Sequence, residues 1–168
     1  WGMKEICTTG LQTHEYLISL LGDRLPLWSL PLLTFFIASG MAFATGTSFG
    51  TMGILIPVIL PLAFTMGAYD GQSNLVFWLT SAAILDGAIF GDHCSPISDT
   101  TVLSSIASGC DHIDHVSTQI VYALTVMFMA AVTGYMSIGV GMPLWSFFIL
   151  FPLITGLLLV LVGKKAVN

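Results

Sequence analysis

The chain reads as an all-α polytopic membrane protein, and three observations carry that reading. Only 8% of its 168 residues are charged, where a soluble domain carries about 25%. Mean hydropathy is +0.92. No charged side chain occurs between Leu25 and Tyr69, or between Val116 and Gly163, and about 20 apolar residues cross a bilayer as a helix. Runs of this length exceed what the buried helices of a soluble domain of this size require.

Residues 1–26 form an interfacial or connecting segment. "LQTHEYLISLLGDRL" places its apolar residues at helical spacing, and Gly22-Asp23 acts as a stop. Residues 27–168 form the membrane unit. It opens with "LWSLPLLTFFIASGMAFA" (27–44), "TGTSFGT" (45–51) and "MGILIPVILPLAFTMGAY" (52–69). The middle stretch carries no charge and is rich in Gly and hydroxyls. Irregular backbone within a bilayer survives only where protein or a cavity surrounds it. Residues 27–69 are therefore predicted to form a re-entrant helical hairpin, with two full spans as the alternative.

"YDGQSN" (69–74) is a turn by composition. Residues 75–108 are predicted to be one broken helix. Pro96 removes an internal hydrogen bond and clashes with the preceding turn. This gives a first half-helix near 76–92, an unwound stretch near 93–98 and a second half-helix from about Asp99. "GCDHIDH" (109–115) exits to water, and two plain spans follow at 117–138 and 144–163. Lys164-Lys165 directly after the last span favour a cytoplasmic C-terminus. Counting back puts 109–115 on the cytoplasmic side and 69–74 outside.

Several function classes recede. A net charge of −5 gives no basis for a nucleic-acid partner. Cys7, Cys94 and Cys110 are odd in number and far apart, suggesting neither a disulfide framework nor a zinc site. No signal-peptide pattern occurs. Opening on Trp1, with a polar segment leading directly into spans, the chain reads as the C-terminal part of something longer.

The chemistry is concentrated in "IFGDHCSPISDTT" (89–101). One ionised Asp at the bilayer centre costs about 2.5–3.5 kcal/mol, so Asp86, Asp92 and Asp99 together would cost on the order of 8–10 kcal/mol. Proton uptake, a bound cation or water in a cavity could offset that, and each describes a transport pathway. A polar loop at the surface is the plainer alternative.

Asp99 precedes Thr-Thr and an apolar run, so its carboxylate is placed to cap the second half-helix, with or without a cation. Asp92 is predicted at the C-terminal end of the first half-helix, where the dipole disfavours an anion and alternate occupation by H+ and Na+ is suited. His93 is a candidate proton relay because it titrates near neutral pH; partnership with a neighbouring Asp is the plainer role. Asp86, seven residues earlier, shares that helical face and either lines a path or bonds a neighbouring helix.

Na+ is a hard cation that takes oxygen ligands, as the alkaline-earth ions do. Thr45, Thr47, Ser48 and Thr51 in the first break, and Ser95, Ser98 and Thr100 in the second, supply neutral oxygens. Gly46/Gly50 and Gly87/Gly91 have the GxxxG spacing of close helix packing. Interrupted helices that meet in the membrane build ion sites in many transporters, commonly in two inverted repeats. Only one such set occurs here, so the partner half would come from further sequence or a second chain.

"GDHCSPISDTT" together with "FATGTSFGTMGILIPVILPLA" resembles the NhaC family of Na+/H+ antiporters, within the ion transporter superfamily. The likeness covers about residues 25–125, and the final spans only by hydropathy. It implies one half, the C-terminal one, of an inverted-repeat transporter that exchanges Na+, sometimes Li+, for H+ across the bacterial inner membrane. The "TGTSFGT" tip and the "GDHCSPISDTT" break would then face each other at the transport site. Asp92, Ser95, Ser98, Asp99 and Thr100 match residue by residue; placing Na+ at Asp92 and Asp99 is our own assignment from the chemistry of these side chains and is not carried over from the family.

Some relatives exchange malate for lactate, so sodium- or proton-coupled organic-acid exchange is the alternative. The absence of Lys and Arg between Arg24 and Lys164 argues against a tightly held dianion in this part. An intramembrane metalloenzyme built on Asp92, His93, Cys94 and Asp99 is a poor fit, because adjacent side chains on a helix diverge and no HExxH occurs. A purely structural membrane subunit is the remaining reading. The chain is expected to be no enzyme and to carry no resident cofactor. Its substrates would be Na+ and H+, and its surroundings the lipid bilayer.

Overall fold

The computed structural model describes residues 2–21, 25–69 and 73–162, and among these there is no strand. Helix α1 (Gly2–Glu5) continues as a π-helical stretch (Ile6–Gly10), and α2 covers Thr13–Leu21. The membrane unit holds α3 (Ser29–Thr45), α4 (Ser48–Tyr69), α5 (Ser73–Cys94) and α6 (Asp99–Ser108). It continues with α7 (His112–Gly139), which turns π-helical over Ala131–Met136, and α8 (Ser146–Val162). The Gly22-Asp23 stop, most of the "YDGQSN" turn and Lys164-Lys165 lie outside the described residues.

Among the described residues three helices are long and apolar enough to cross a membrane, namely those over Ser48–Gly67, Asn74–Cys94 and His112–Gly139. The expected half-helix near 76–92 is longer in the structure. With 22 residues, α5 runs about 33 Å at 1.5 Å per residue. Nothing at Asp86 or Gly87 interrupts the helix, which runs to Cys94 and stops just before Ser95, the residue whose helical backbone Pro96 disfavours. Asp92 therefore lies in the last turn of a helix of crossing length.

Helices α3 and α5 run parallel and α4 returns between their ends. The seam is built on glycine: a Cβ at Gly87 would stand 2.5 Å from Phe35 O and 2.8 Å from Ala38 Cβ, and one at Gly91 would stand 2.6 Å from Phe43 N. Backbone thus packs directly on backbone, the close approach that small residues allow between membrane helices. Leu30, Leu62, Ala63, Met66 and Val76 close one end of this three-helix unit. Ala38, Leu55 and Ile84 fill its middle. Phe35 and Ala83 join α7 through Met127, Ala131 and Tyr135.

The far end is where the two interruptions meet. Gly46 terminates α3 in the left-handed conformation, φ 65°, and its N–H donates to Ala42 O. A Cβ there would lie 2.9 Å from Ile97 O, so this glycine serves tip-to-break approach and not the helix packing that its spacing with Gly50 suggested. Gly50 faces its own neighbour Thr47. Gly46→Ala combines a left-handed alanine, about 1–2 kcal/mol, with that collision. A lowered unfolding temperature of the solubilised protein is expected, and unchanged melting would contradict the described contact.

Candidate functional site

The break in the α5–α6 helix spans residues 95–98, and hydroxyls order it. Ser95 is fully buried and donates to Phe43 O on α3 at 2.8 Å, while its Oγ accepts from Ile97 N at 3.3 Å. Thr101, also buried, donates to His93 O at 3.1 Å and approaches Asp92 O at 3.5 Å, occupying carbonyls that the end of α5 leaves free.

Asp92 is half-buried at the centre of the arrangement. Its Oδ1 accepts from Ser98 Oγ at 2.7 Å, and its Oδ2 accepts from Ser48 Oγ at 3.1 Å. Ser98 Oγ is also 2.7 Å from Thr100 Oγ1. One carboxylate therefore joins the start of α4, the end of α5 and the start of α6. Ser98 is completely buried, so its hydroxyl is committed to this group and is not merely solvated.

Other candidates fall outside this hydrogen-bonded set. Thr45 donates to Met41 O in its own helix, and Thr47 Oγ1 accepts from Gly50 N. Thr51 donates to Thr47 O. Thr45 and Thr47 are exposed at the tip. Asp99 is exposed and holds Thr100 N–H at 2.8 Å. The N-cap position itself belongs to Ser98, whose side chain is drawn to Asp92 instead of the helix end. Asp99 thus steadies the first turn of α6 from one residue inside it.

Asp86 and His93 face the same groove between α5 and α7. It encloses about 490 Å³ and is walled mainly by Phe35, Phe90, Tyr122 and Met127. Tyr135 Oη donates to Asp86 Oδ2 at 2.7 Å, and the Tyr135 ring stacks on Phe35 with centroids 5.0 Å apart. His93 pairs with Gln119 and not with Asp92. The Gln119 amide nitrogen is 3.1 Å from His93 O and 2.6 Å from His93 Nε2. A carbonyl accepts only a donor, so the amide is fixed with its NH2 toward His93, Nε2 is the acceptor and the imidazole proton lies on Nδ1. Gln119 Oε1 is buried with no hydrogen-bond partner among the described residues. Gln119 and Tyr135 lie in the charge-free run of α7, where sequence offered no signal for either.

Among the described residues no three His, Cys, Asp or Glu side chains gather into a metal centre. The oxygen-rich cluster at Asp92 is of another kind: one anionic and several neutral oxygens, the donor set of a hard monovalent cation or a proton.

Apolar helices of crossing length, with their polar groups pooled at helix interruptions, define a polytopic helical membrane protein. The chain belongs to the Na+/H+ antiporter family, whose profile matches residues 1–140. It is 46% identical over 129 residues to an uncharacterized protein of Haemophilus influenzae, covering 77% of this chain and 24% of that protein. It is 35% identical over 117 residues to the malate-2H+/Na+-lactate antiporter of Bacillus subtilis, covering 67% and 24%. It is 33% identical over 106 residues to an uncharacterized Na+/H+ antiporter of Haemophilus influenzae, covering 63% and 21%. The chain thus spans about a quarter of the length of these curated relatives. No solved structure matches it.

Proposed function

We propose that this chain supplies the ion site of a sodium/proton antiporter of the NhaC type, as part of its C-terminal half, in the bacterial inner membrane with the C-terminus in the cytoplasm. One observation carries the reading: the Asp92 carboxylate is shared by Ser48 and Ser98, hydroxyls from two separate helix interruptions. A carboxylate gripped at a junction of three helix ends can change its partner only together with the positions of those ends.

In the proton-loaded form Asp92 is neutral. In the sodium-loaded form it is charged, and Ser48, Ser98 and Thr100 turn oxygen lone pairs toward the ion. Exchanging one monovalent cation for the other leaves the charge of the site unchanged, so neither form strands a bare carboxylate away from water. Asp99, Ser95, Thr45 and Thr47 surround this centre. Asp99, Thr45 and Thr47 lie on the exposed side, where an inverted partner half, from further sequence or a second chain, would complete the coordination. His93 and Asp86 offer a proton relay along the α5–α7 groove. Li+ would fit the same oxygen set.

The test is exchange in everted vesicles carrying the full protein expressed from its own gene. Added Na+ is expected to dissipate a preformed pH gradient with no organic acid present. A strict requirement for malate or lactate would replace this reading with organic-acid exchange, the activity named for the similar Bacillus subtilis antiporter.

A further inference from the structure

We propose that His112 is a positioning residue for the transport site, acting through a clasp on the break in the α5–α6 helix. The inference rests on the antiport reading for its consequence, but its geometry stands independently. Pro96 ends the ladder of α5, and its carbonyl lies in the irregular stretch between the two helices. That carbonyl is held by a side chain from the next element: His112 Nε2 lies 2.7 Å from Pro96 O. A carbonyl accepts only, so Nε2 carries a proton and donates.

The other face of the ring is fixed as well. His112 Nδ1 lies 3.0 Å from Ser105 Oγ, and His115 Nδ1 lies 2.7 Å from the same oxygen. Ser105 is buried on α6 and is also 2.9 Å from Thr101 O. With both imidazoles neutral the set closes: Ser105 donates to His112 Nδ1 and accepts from His115 Nδ1–H. With His112 doubly protonated, Ser105 accepts from both rings and turns its own proton to Thr101 O. The bond to Pro96 stands in either state, so the arrangement is a clasp and not a pH switch.

Its consequence lies in what flanks Pro96. Ser95 holds the break to Phe43 O, Ser98 holds Asp92, and Ile97 O lies against Gly46. The Pro96 carbonyl is the point at which α7 fixes this stretch. Without it, Ser98 and Ser95 can shift together relative to Asp92. Residues that orient a coordinating group commonly change affinity by about 10–100-fold when removed.

The test uses the full protein with His112→Leu and His112→Gln, the latter keeping an N–H donor of similar reach. His112→Leu is expected to raise the KM for Na+ about tenfold while kcat changes little, and His112→Gln is expected to restore it. A second readout needs no transport: alkylation of Cys94, buried beside the break, in a background with the other cysteines changed to Ser. Labelling is expected to speed up in His112→Leu and to return to the wild-type rate in His112→Gln. Unchanged KM and labelling in His112→Leu would overturn the clasp, and so would a Gln variant as impaired as the Leu variant. A protein without Na+ exchange would fail the antiport reading alone, and labelling would still decide the clasp.

Discussion

Asp92→Asn is expected to reduce sodium-driven proton exchange to the level of vesicles lacking the protein. The amide keeps the size and one acceptor of the carboxylate, so Ser98 or Ser48 retains a partner and the helix ends stay assembled. What is lost is the charge. At 4 Å and an effective dielectric near 20, unit charges attract by about 4 kcal/mol, which corresponds to about a thousandfold in cation affinity. The amide also cannot take up the returning proton. Membrane insertion and the elution profile of the purified variant are expected to match wild type. Ser98→Ala, which removes one neutral oxygen and leaves the charge, is expected to fall between the two. Exchange at the wild-type rate in Asp92→Asn would remove this residue from the site.

Gly91→Leu is expected to have the largest effect on folding. A Cβ at this position collides with Ser39 O and lies 2.6 Å from Phe43 N and 2.7 Å from Ala42 Cβ. These are backbone and short side-chain atoms that cannot rotate away, so α3 and α5 must separate. Overpacking costs about 1–3 kcal/mol where neighbours can give, and here they cannot, which places the loss at or above that upper figure. The same seam carries Phe43 O to Ser95, so exchange should fall with stability. Gly53 has nothing within 4 Å of an added Cβ, and Gly53→Ala is the matched control. The measurement is thermal unfolding of the solubilised full protein. Equal melting of Gly91→Leu and wild type would mean that the parallel α3–α5 seam is misplaced.

Much of this architecture was legible in the sequence for physical reasons. Uncharged runs have a single solvent that suits them, and Pro96 has few ways to sit in a helix, so the membrane class and the place of the break followed from local rules. Gly87 and Gly91 were readable as a packing seam because spacing alone places both on one face. The pairing of Asp92 with Ser48 was not readable from local pattern, since it joins side chains 44 positions apart. The tip and the break were brought together beforehand only by the family resemblance.

Where the local rules ran short, the reason lies in long-range contacts. Sequence left Asp86 between lining a path and bonding a neighbouring helix, and the hydrogen bond it accepts from Tyr135, in the π-helical part of α7, is a contact that no local pattern shows. His93 was paired in expectation with its neighbour, yet a helix sends adjacent side chains apart, and Gln119 of α7 meets it instead. His112 looked like part of a solvated turn until its ring was found on Pro96 O.

The most direct measurement is calorimetric titration of Na+ into the purified full protein in buffers of different ionisation enthalpy, which counts protons released per ion bound. Near the pH where Na+ and H+ compete, a proton release approaching one per Na+ is expected, and it should disappear in Asp92→Asn together with the binding heat. Sodium binding with no proton release, or with the same release in Asp92→Asn, would contradict the assignment of Asp92 as the group that the two ions share.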